Sequence, residues 1–241
     1  MSRLLALETA TEGCSVALWL DGDVLERFEL APRRHAELTL PWIEELLAQA
    51  GVTRAQLDAV ACGCGPGAFT GVRLAVAITQ GLALALDRPA LGVSTLEALA
   101  LPAMRALDAA GDAATGVLAA IDARMGEVYL ADYARGADAG WVRRGDERVL
   151  APSDVVIDDA ALRVGVGTGF AAQDGALVTR LGHRLVRAQA DALPRAADVA
   201  RLAAAALARG EGLAPEELQP AYLRNKVALT LAEQGKPTPA G

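Results

Sequence analysis

The chain has 241 residues, of which 53% are hydrophobic and 22% are charged, and its net charge is −7 at pH 7. This balance is typical of a folded globular protein and excludes an intrinsically disordered one. The acidic charge, with no basic run longer than Arg33-Arg34, argues against tight binding of RNA or DNA by this chain alone.

The N-terminus and the cysteines predict a cytoplasmic protein without a membrane association. Only four apolar residues follow Met1-Ser2-Arg3 before the next polar residue, which is too few for a signal peptide. We also expect no apolar run long enough to span a bilayer. The cysteines are odd in number, and Cys62 and Cys64 lie one residue apart, so neither a disulfide framework nor a zinc site is indicated.

The first fifty residues predict strands followed by a helix. The predicted strands are Leu4–Leu7, Ser15–Leu20 and Val24–Leu30. Asp21-Gly22-Asp23 is typical of a hairpin turn between the last two. Apolar residues at helical spacing then predict a helix over Ala36–Ala50, which either begins near Pro41 or kinks there.

A glycine-rich run, from Ala61 to Gly71, lies between a strand predicted over Asp58–Cys62 and an apolar helix predicted over Val72–Leu86. Free N–H groups and the positive dipole end at such a helix start suit an anion. The run lacks the lysine and Ser/Thr of a Walker loop, and its glycine spacing is one residue too long for a dinucleotide motif. A tight turn that packs against a partner or the other lobe is therefore favoured over phosphate binding.

The remaining elements predict two lobes of related organisation. A strand over Ala90–Val93 leads into a helix that begins at Ser94 or Thr95, and this completes an α/β lobe with a mixed sheet. The later predicted elements are strands Val117–Ile121, Val128–Tyr133 and Leu162–Val166, a loop-like region Gly136–Gly145, a turn Gly167–Gly169 and a helix Ala196–Ala208. We expect an N-terminal lobe over 1–103 joined by part of 195–233, a smaller lobe over 104–194, and a disordered tail over 234–241.

The polar turn Glu8-Thr9-Ala10-Thr11 after the first strand is a second candidate site. A carboxylate followed by hydroxyls could orient a nucleotide-bound metal or water. Such residues also commonly satisfy the backbone groups of a turn, and the sequence leaves both interpretations open. The candidate nucleotide-binding residues are Glu8, Thr9, Thr11, Gly65, Gly67 and Thr70.

Five segments occur in a consistent order: LLALETATEGCSVAL (4–18), GPGAFTG (65–71), GVSTL (92–96), IDARMGEVY (121–129) and YLRN (222–225). Together they resemble the bacterial TsaB family, also called YeaZ. The resemblance covers most of the chain and is weakest between Ala134 and Ala190. It implies an α/β, actin-like (ASKHA, ribonuclease H-like) fold of two lobes, with mixed sheets flanked by helices and an abbreviated second lobe.

The resemblance also implies a role in making threonylcarbamoyladenosine next to the anticodon of tRNAs that read codons starting with A. In that machinery the paralogue TsaD transfers the threonylcarbamoyl group, TsaE is an ATPase partner, and TsaC makes the threonylcarbamoyl adenylate. We expect this chain to be a non-catalytic subunit that binds and activates TsaD together with TsaE. We expect a homodimer in isolation, and contact with tRNA through the complex rather than directly.

The catalytic paralogue carries a Val-Asn-His-x-Glu-x-His-type motif whose two histidines bind its metal. In this chain Val93 to Leu99 occupies the equivalent place by pattern, and Thr95 and Leu99 stand where the two histidines would be. Leucine cannot ligate a metal. The resemblance therefore implies that the metal centre is absent and that no residue of this chain is catalytic.

We expect the N-terminal lobe to pair with TsaD through the helices Ala36–Ala50 and Val72–Leu86, because the second is apolar nearly all round. The candidate interface residues are Arg73, as a rim charge, and Leu74, Ile78 and Leu82, spaced by four. The segment Gly165 to Gly169 is shorter than a typical adenosine-binding loop. We therefore expect no cofactor, with ATP or ADP bound only at a partner interface.

Two enzymatic functions remain as alternatives. The first is an actin-like small-molecule kinase or ATPase that uses the polar turn and the glycine loop. The second is a metallopeptidase-like protein, against which the missing histidine pair argues. His35, at the start of a helix, is interpreted as a surface or capping residue, and a serine triad has no support because no Gly-x-Ser-x-Gly occurs.

Overall fold

The computed structural model describes residues 2–110, 116–137, 140–157 and 161–224, so the tail predicted over 234–241 lies outside the described residues. Two mixed β-sheets are flanked by helices. The strands are β1 (Arg3–Glu8), β2 (Gly13–Leu20), β3 (Asp23–Leu30), β4 (Ala59–Gly63), β5 (Ala90–Val93), β6 (Gly116–Arg124), β7 (Glu127–Arg135), β8 (Trp141–Arg143), β9 (Arg148–Leu150), β10 (Arg163–Val166) and β11 (Leu185–Gln189). The helices are α1 (His35–Ala50), α2 (Phe69–Leu86), α3 (Thr95–Ala110), α4 (Ala172–Leu181) and α5 (Ala196–Ala208).

The first sheet has the order β3-β2-β1-β4-β5, with β1 antiparallel to β2 and parallel to β4. Side chains on β1 alternate between its two faces, as a strand requires. Leu5 and Leu7 pack with α1 and α2, whereas Leu4 and Ala6 pack with α5. The central residues of this strand, Leu4–Leu7, are therefore all apolar, because both faces of the sheet are covered.

The second sheet has the order β11-β10-β6-β7-β8, with β9 also paired to β7. Leu177 and Leu181 of α4 pack on one face of it, and Leu96 and Leu107 of α3 pack on the other. The boundary predicted at 103/104 lies inside α3. The later helix α5 packs against β1 and β2 of the first sheet.

A buried ion pair spans three strands of the second sheet. Arg163 on β10 passes over Gly116 of β6 and donates to both carboxylate oxygens of Asp132 on β7, through Nε at 2.7 Å and Nη2 at 3.0 Å. A Cβ at Gly116 would overlap the Arg163 side chain. Glycine is needed at this position because the arginine must cross the strand closely.

Most of the predicted elements are present, with local differences. Helix α2 begins at Phe69, so Thr70 and Gly71 belong to the helix rather than to the glycine loop. Helix α1 continues through Pro41, which is exposed, so water can bond the carbonyl group that the proline leaves free. The region predicted as loop-like, Gly136–Gly145, contains β8, and the sequence interpretation missed β9, α4 and β11.

Helix α2 corrects the expectation that no apolar run reaches the length of a membrane span. Its 18 residues are long and apolar enough to cross a membrane, by length and composition alone. A core helix of a soluble protein meets the same two criteria. One face of α2 packs toward β4 and buries Gly71, Val72, Ala75, Val76, Thr79 and Ala83.

Candidate functional site

A cavity of about 990 Å³ lies between the first lobe, which is built on the first sheet, and the second lobe, which is built on the second sheet. Several of the candidate residues line it. Its wall on the first lobe includes the turn Thr9 to Glu12 and the start of α2. Its wall on the second lobe includes Ile121 to Met125 and Thr168, and Ala221 to Arg224 lie at its edge. We call this cavity the interlobe cleft.

The turn Thr9 to Glu12 packs directly on the glycine loop and the first turn of α2. The Thr9 hydroxyl donates to the Gly71 carbonyl at 2.7 Å, and the Ala68 N–H donates to the Ala10 carbonyl at 2.7 Å. A Cβ at Gly67 would overlap the Ala10 carbonyl oxygen. The loop is therefore a tight strand-to-helix turn, and the described surface against which it packs belongs to its own lobe rather than to the other lobe.

Glu8 lies beneath this turn and does not reach the cleft. One of its carboxylate oxygens accepts the Ala10 N–H at 2.6 Å, and the other accepts the Thr95 hydroxyl at 3.2 Å. Thr95 in turn accepts the Gly65 N–H at 3.2 Å. Complete burial raises the pKa of Glu8 to about 7, and the hydrogen bonds from Ala10 and Thr95 only partly oppose this shift.

The predicted nucleotide-binding residues therefore separate into two groups. Thr9, Thr11, Gly67 and Thr70 line the interlobe cleft. Glu8 and Gly65 belong instead to the buried network around Thr95. The Glu8 carboxylate is therefore not in the cleft, where it was predicted to orient a metal or a water molecule.

The cleft also contains residues that the sequence analysis did not single out. The end of β6 places Asp122 and Arg124 on the second-lobe wall, where they pair at 2.8 Å. The Asp122 N–H donates to the Thr168 hydroxyl at 3.1 Å. The IDARMGEVY motif contains Asp122 and Arg124 and could have indicated them. This motif and YLRN contributed to the family resemblance but were not assigned to a site.

His35 has a positioning contact at the rim of the cleft. Its Nε2 lies 2.9 Å from the Thr11 carbonyl oxygen. Because a carbonyl group only accepts, this nitrogen carries the proton and donates it. The ring thus ties the start of α1 to the polar turn, and the contact supports a structural interpretation of this histidine.

The interface residues predicted on α2 differ in exposure. Arg73 is exposed, whereas Leu74, Ile78 and Leu82 are half-buried. Ile78 and Leu82 pack against the core beneath the helix. Beyond Arg73, the exposed positions of α2 are Ala77, Gly81, Leu84 and Ala85, with Leu84 69% exposed.

The two positions predicted to replace metal ligands are both buried. Thr95 is fully buried in the Glu8 network, and Leu99 is 3% exposed and packs in the core between α3 and the second sheet. Among the described residues, no group of three or more His, Cys, Asp or Glu side chains is placed to hold a metal ion.

A family model described as "TsaD: tRNA N6-adenosine threonylcarbamoyltransferase" matches residues 28–156. The tRNA threonylcarbamoyladenosine biosynthesis protein TsaB of Escherichia coli (strain K12) is 44% identical over 234 residues, which cover 94% of this chain and 96% of that protein. The chain belongs to the TsaB family. The TsaB protein of Haemophilus influenzae is 39% identical, and the alignment covers 93% of this chain and 94% of that protein.

The solved structure of YeaZ from Pseudomonas aeruginosa superimposes with a TM-score of 0.81 at 47% identity, covering 92% of this chain and all of that one. The family resemblance seen in the motifs and the α/β actin-like fold that it implied are both confirmed. The TsaD family match extends from β3 to the segment after β9 and includes Thr95 and Leu99. This chain therefore resembles the TsaD family over these elements.

Proposed function

We propose that this member of the TsaB family is a non-catalytic subunit of the machinery that makes threonylcarbamoyladenosine in tRNA, and that it binds and activates TsaD together with TsaE. The observation that carries this proposal is the similarity to the E. coli TsaB protein over 94% of the chain. The side chains at positions 95 and 99 support it, because both serve the fold of this chain. We further propose that the protein acts in the cytoplasm.

The partner surface that we propose is the exposed face of α2 together with α1. Both helices lie on the same side of the first sheet, and they expose the apolar side chains of Leu40 on α1 and Leu84 on α2. Ala77 and Gly81 are small, so another helix can approach α2 closely there. This face replaces the predicted ridge at Ile78 and Leu82, which the chain uses to hold α2 on its own core.

We propose no cofactor for the chain alone, with ATP or ADP bound only at a partner interface and tRNA engaged through the complex. The same α1–α2 face would form a homodimer when TsaD is absent. In the described residues, the carboxylates that line the cleft are Glu12 and Asp122, and Asp122 is paired with Arg124. The cleft therefore supplies little for a kinase mechanism.

Reconstitution tests the function directly. Purified TsaC, TsaD and TsaE are combined with threonine, bicarbonate, ATP and substrate tRNA, with and without this chain, and the modified nucleoside is measured by mass spectrometry. We expect product only when the chain is present, and no product from the chain alone. Full modification in its absence would contradict the proposal. ATP turnover by the pure chain would favour the actin-like kinase or ATPase instead.

The interface is tested at Gly81, because a Cβ built there meets no atom within 4 Å and the isolated chain can accept a side chain. We expect Gly81→Glu to leave the melting temperature of the chain unlowered and to abolish co-purification with TsaD. The matched control is Ala205→Glu, a change of similar size at an exposed position of α5 on the other face of the sheet. An intact complex with Gly81→Glu would refute the α2 interface.

A further inference from the structure

The last described segment of the chain, Leu218–Arg224, runs from the first lobe to the second across the edge of the interlobe cleft. We call it the strap. Its first residue is anchored, since Leu218 is 2% exposed and its carbonyl oxygen accepts the Gln80 amide of α2 at 3.0 Å. The Ala221 N–H then donates to the Cys64 carbonyl at 2.8 Å. These contacts fix the strap to α2 and to the glycine loop.

The middle of the strap is held by an aromatic and arginine cluster at the start of α2. The Arg73 Nε donates to the Tyr222 hydroxyl at 2.8 Å. The same guanidinium lies 3.6 Å from the centre of the Phe69 ring and 5.5 Å from that of Tyr222. Stacked and hydrogen-bonded arginine is held in one orientation. Phe69 and Tyr222 are nevertheless 50% and 53% exposed, so solvent or a partner can reach this cluster.

The end of the strap binds the second lobe. Arg224 pairs with the Glu127 carboxylate and donates to the Ala123 carbonyl at 3.1 Å. It also lies 3.5 Å from the Met125 sulfur, at the tip of the β6–β7 turn. This turn forms a wall of the cleft. A segment of seven residues thus contacts both lobes on the cleft side, whereas α3 joins them through the core.

We propose that the strap is a latch that holds the two lobes closed over the cleft and couples this closure to binding at α2. Tyr222 of the strap contacts Arg73 near the start of α2, and Arg224 binds the β6–β7 turn. A partner that takes Arg73 or covers Phe69 changes the contacts of Tyr222, and thereby the hold of Arg224 on the second lobe. Such coupling follows whenever one ligand makes different contacts with the open and closed states.

The latch is tested by the distance between the lobes in the full chain. Spin labels are attached at Ala205→Cys on α5 and Thr179→Cys on α4, both exposed positions outside the proposed partner surface, and the distance distribution is measured by pulsed electron paramagnetic resonance. The unsubstituted chain, treated with the same label, measures reaction at the native cysteines. We expect a single main distance in the doubly labelled protein. Arg224→Gln and Tyr222→Ala should each raise the population at longer distance by about fivefold or more.

Gln219→Ala is the matched control within the strap, because its amide contacts only the nearby Glu216 carbonyl among the hydrogen bonds of the described residues. We expect this variant to keep the original distribution. The circular dichroism spectrum of each variant checks that it remains folded. If Arg224→Gln and Tyr222→Ala are folded and give the same distance distribution as the protein with the unsubstituted strap, the latch proposal is wrong.

The coupling rests on the proposed function, and a second measurement separates the two. Excess unlabelled TsaD is added to the labelled chain, and complex formation is followed in the same sample by size-exclusion chromatography. We expect the complex to shift the distance distribution, and Arg224→Gln to reduce this shift. A complex that forms without any shift overturns the coupling and leaves the partner proposal standing. Failure of the complex to form counts against the partner proposal, while the distances in the isolated chain still decide the latch.

Discussion

At the scale of single residues, Thr95 shows how the position predicted to replace a metal ligand is used in this chain. Its hydroxyl donates to Glu8 and accepts from the Gly65 N–H, so it joins the end of β1 to the glycine loop. A buried carboxyl group without such partners would be costly. The residue type at this position is therefore explained by the need to satisfy Glu8.

Glu8 should make the stability of the protein depend on pH. Folding raises the pKa of Glu8 from 4.5 to about 7, because burial disfavours its charged form. The contribution of Glu8 to stability is thus fully present below pH 4.5 and is lost as the pH rises through about 7. Between pH 5 and pH 8 the loss is on the order of 2–3 kcal/mol.

Urea unfolding of the chain and of Glu8→Gln at pH 5 and pH 8 measures this effect. We expect the free energy of unfolding of Glu8→Gln to fall by less over this range, since the neutral amide keeps a similar size and an oxygen that accepts the Ala10 N–H. Equal falls for both proteins would show that Glu8 is not the group responsible.

At the scale of elements, helix α2 contains two interior glycines that serve different purposes. Gly71 faces the polar turn, and a Cβ there would overlap the Thr9 carbonyl oxygen. Gly81 faces solvent, and a Cβ there meets nothing within 4 Å. The first is explained by packing inside the chain, and the second by the close approach of a partner that we propose.

Alanine substitutions at the two positions should have opposite effects on the isolated chain. Gly81→Ala should raise the free energy of unfolding by about 0.5–1 kcal/mol, because alanine loses less backbone freedom in a helix. Gly71→Ala should lower it by roughly 1–3 kcal/mol, because the turn must move to accommodate a methyl group. Thermal and urea unfolding of both variants measure these effects. Changes of the same sign in the two variants would contradict the prediction.

The second sheet depends on the ion pair between Arg163 and Asp132. Arg163→Met should lower the free energy of unfolding by about 3–5 kcal/mol, because it leaves the Asp132 carboxylate without its cation in a largely buried position. The double variant Arg163→Met with Asp132→Leu should recover much of this loss, since two apolar side chains require no partner. Urea unfolding measures both, and a double variant no more stable than the single one would contradict the explanation.

At the scale of the whole molecule, two of the connections between the lobes within the described residues differ in character. Helix α3 packs between α5 and the second sheet and joins the lobes through apolar contacts. The strap joins them at the cleft through exposed or half-buried polar contacts. The apolar connection is the more permanent, whereas the polar one exchanges readily with water or with a partner.

The net charge of −7 predicts that the chain alone binds tRNA weakly. Tight binding needs several unpaired cations on one surface, and two arginines of the cleft, Arg124 and Arg224, are paired with carboxylates. In an electrophoretic mobility assay at 0.1–0.2 M salt, we expect no shifted tRNA at protein concentrations of up to about 10 µM. The complete complex is the positive control, and a shifted band with the chain alone would contradict the expectation.

The sequence by itself determined the family, the α/β class and the order of most elements. Alternation in β3, helical spacing in α1 and the glycine-rich run before α2 are local patterns, and local patterns can be recognised without knowledge of the fold. The combination of motifs identified the family, because several specific segments had to occur in one order. The same local reasoning missed β9, β11 and α4, whose short and partly exposed sequences carry weak periodicity.

Only the tertiary structure decided which candidate residues meet. It separated Glu8, which is fully buried, from Thr11, which lines the cleft three residues later, because the chain turns after the end of β1. It turned Ile78 toward the core and left Gly81 exposed, a choice set by how α2 rests on its sheet. It also brought Arg224 to Glu127, residues 97 apart in sequence, and so revealed the strap. Contacts between distant segments depend on packing, and no local pattern encodes them.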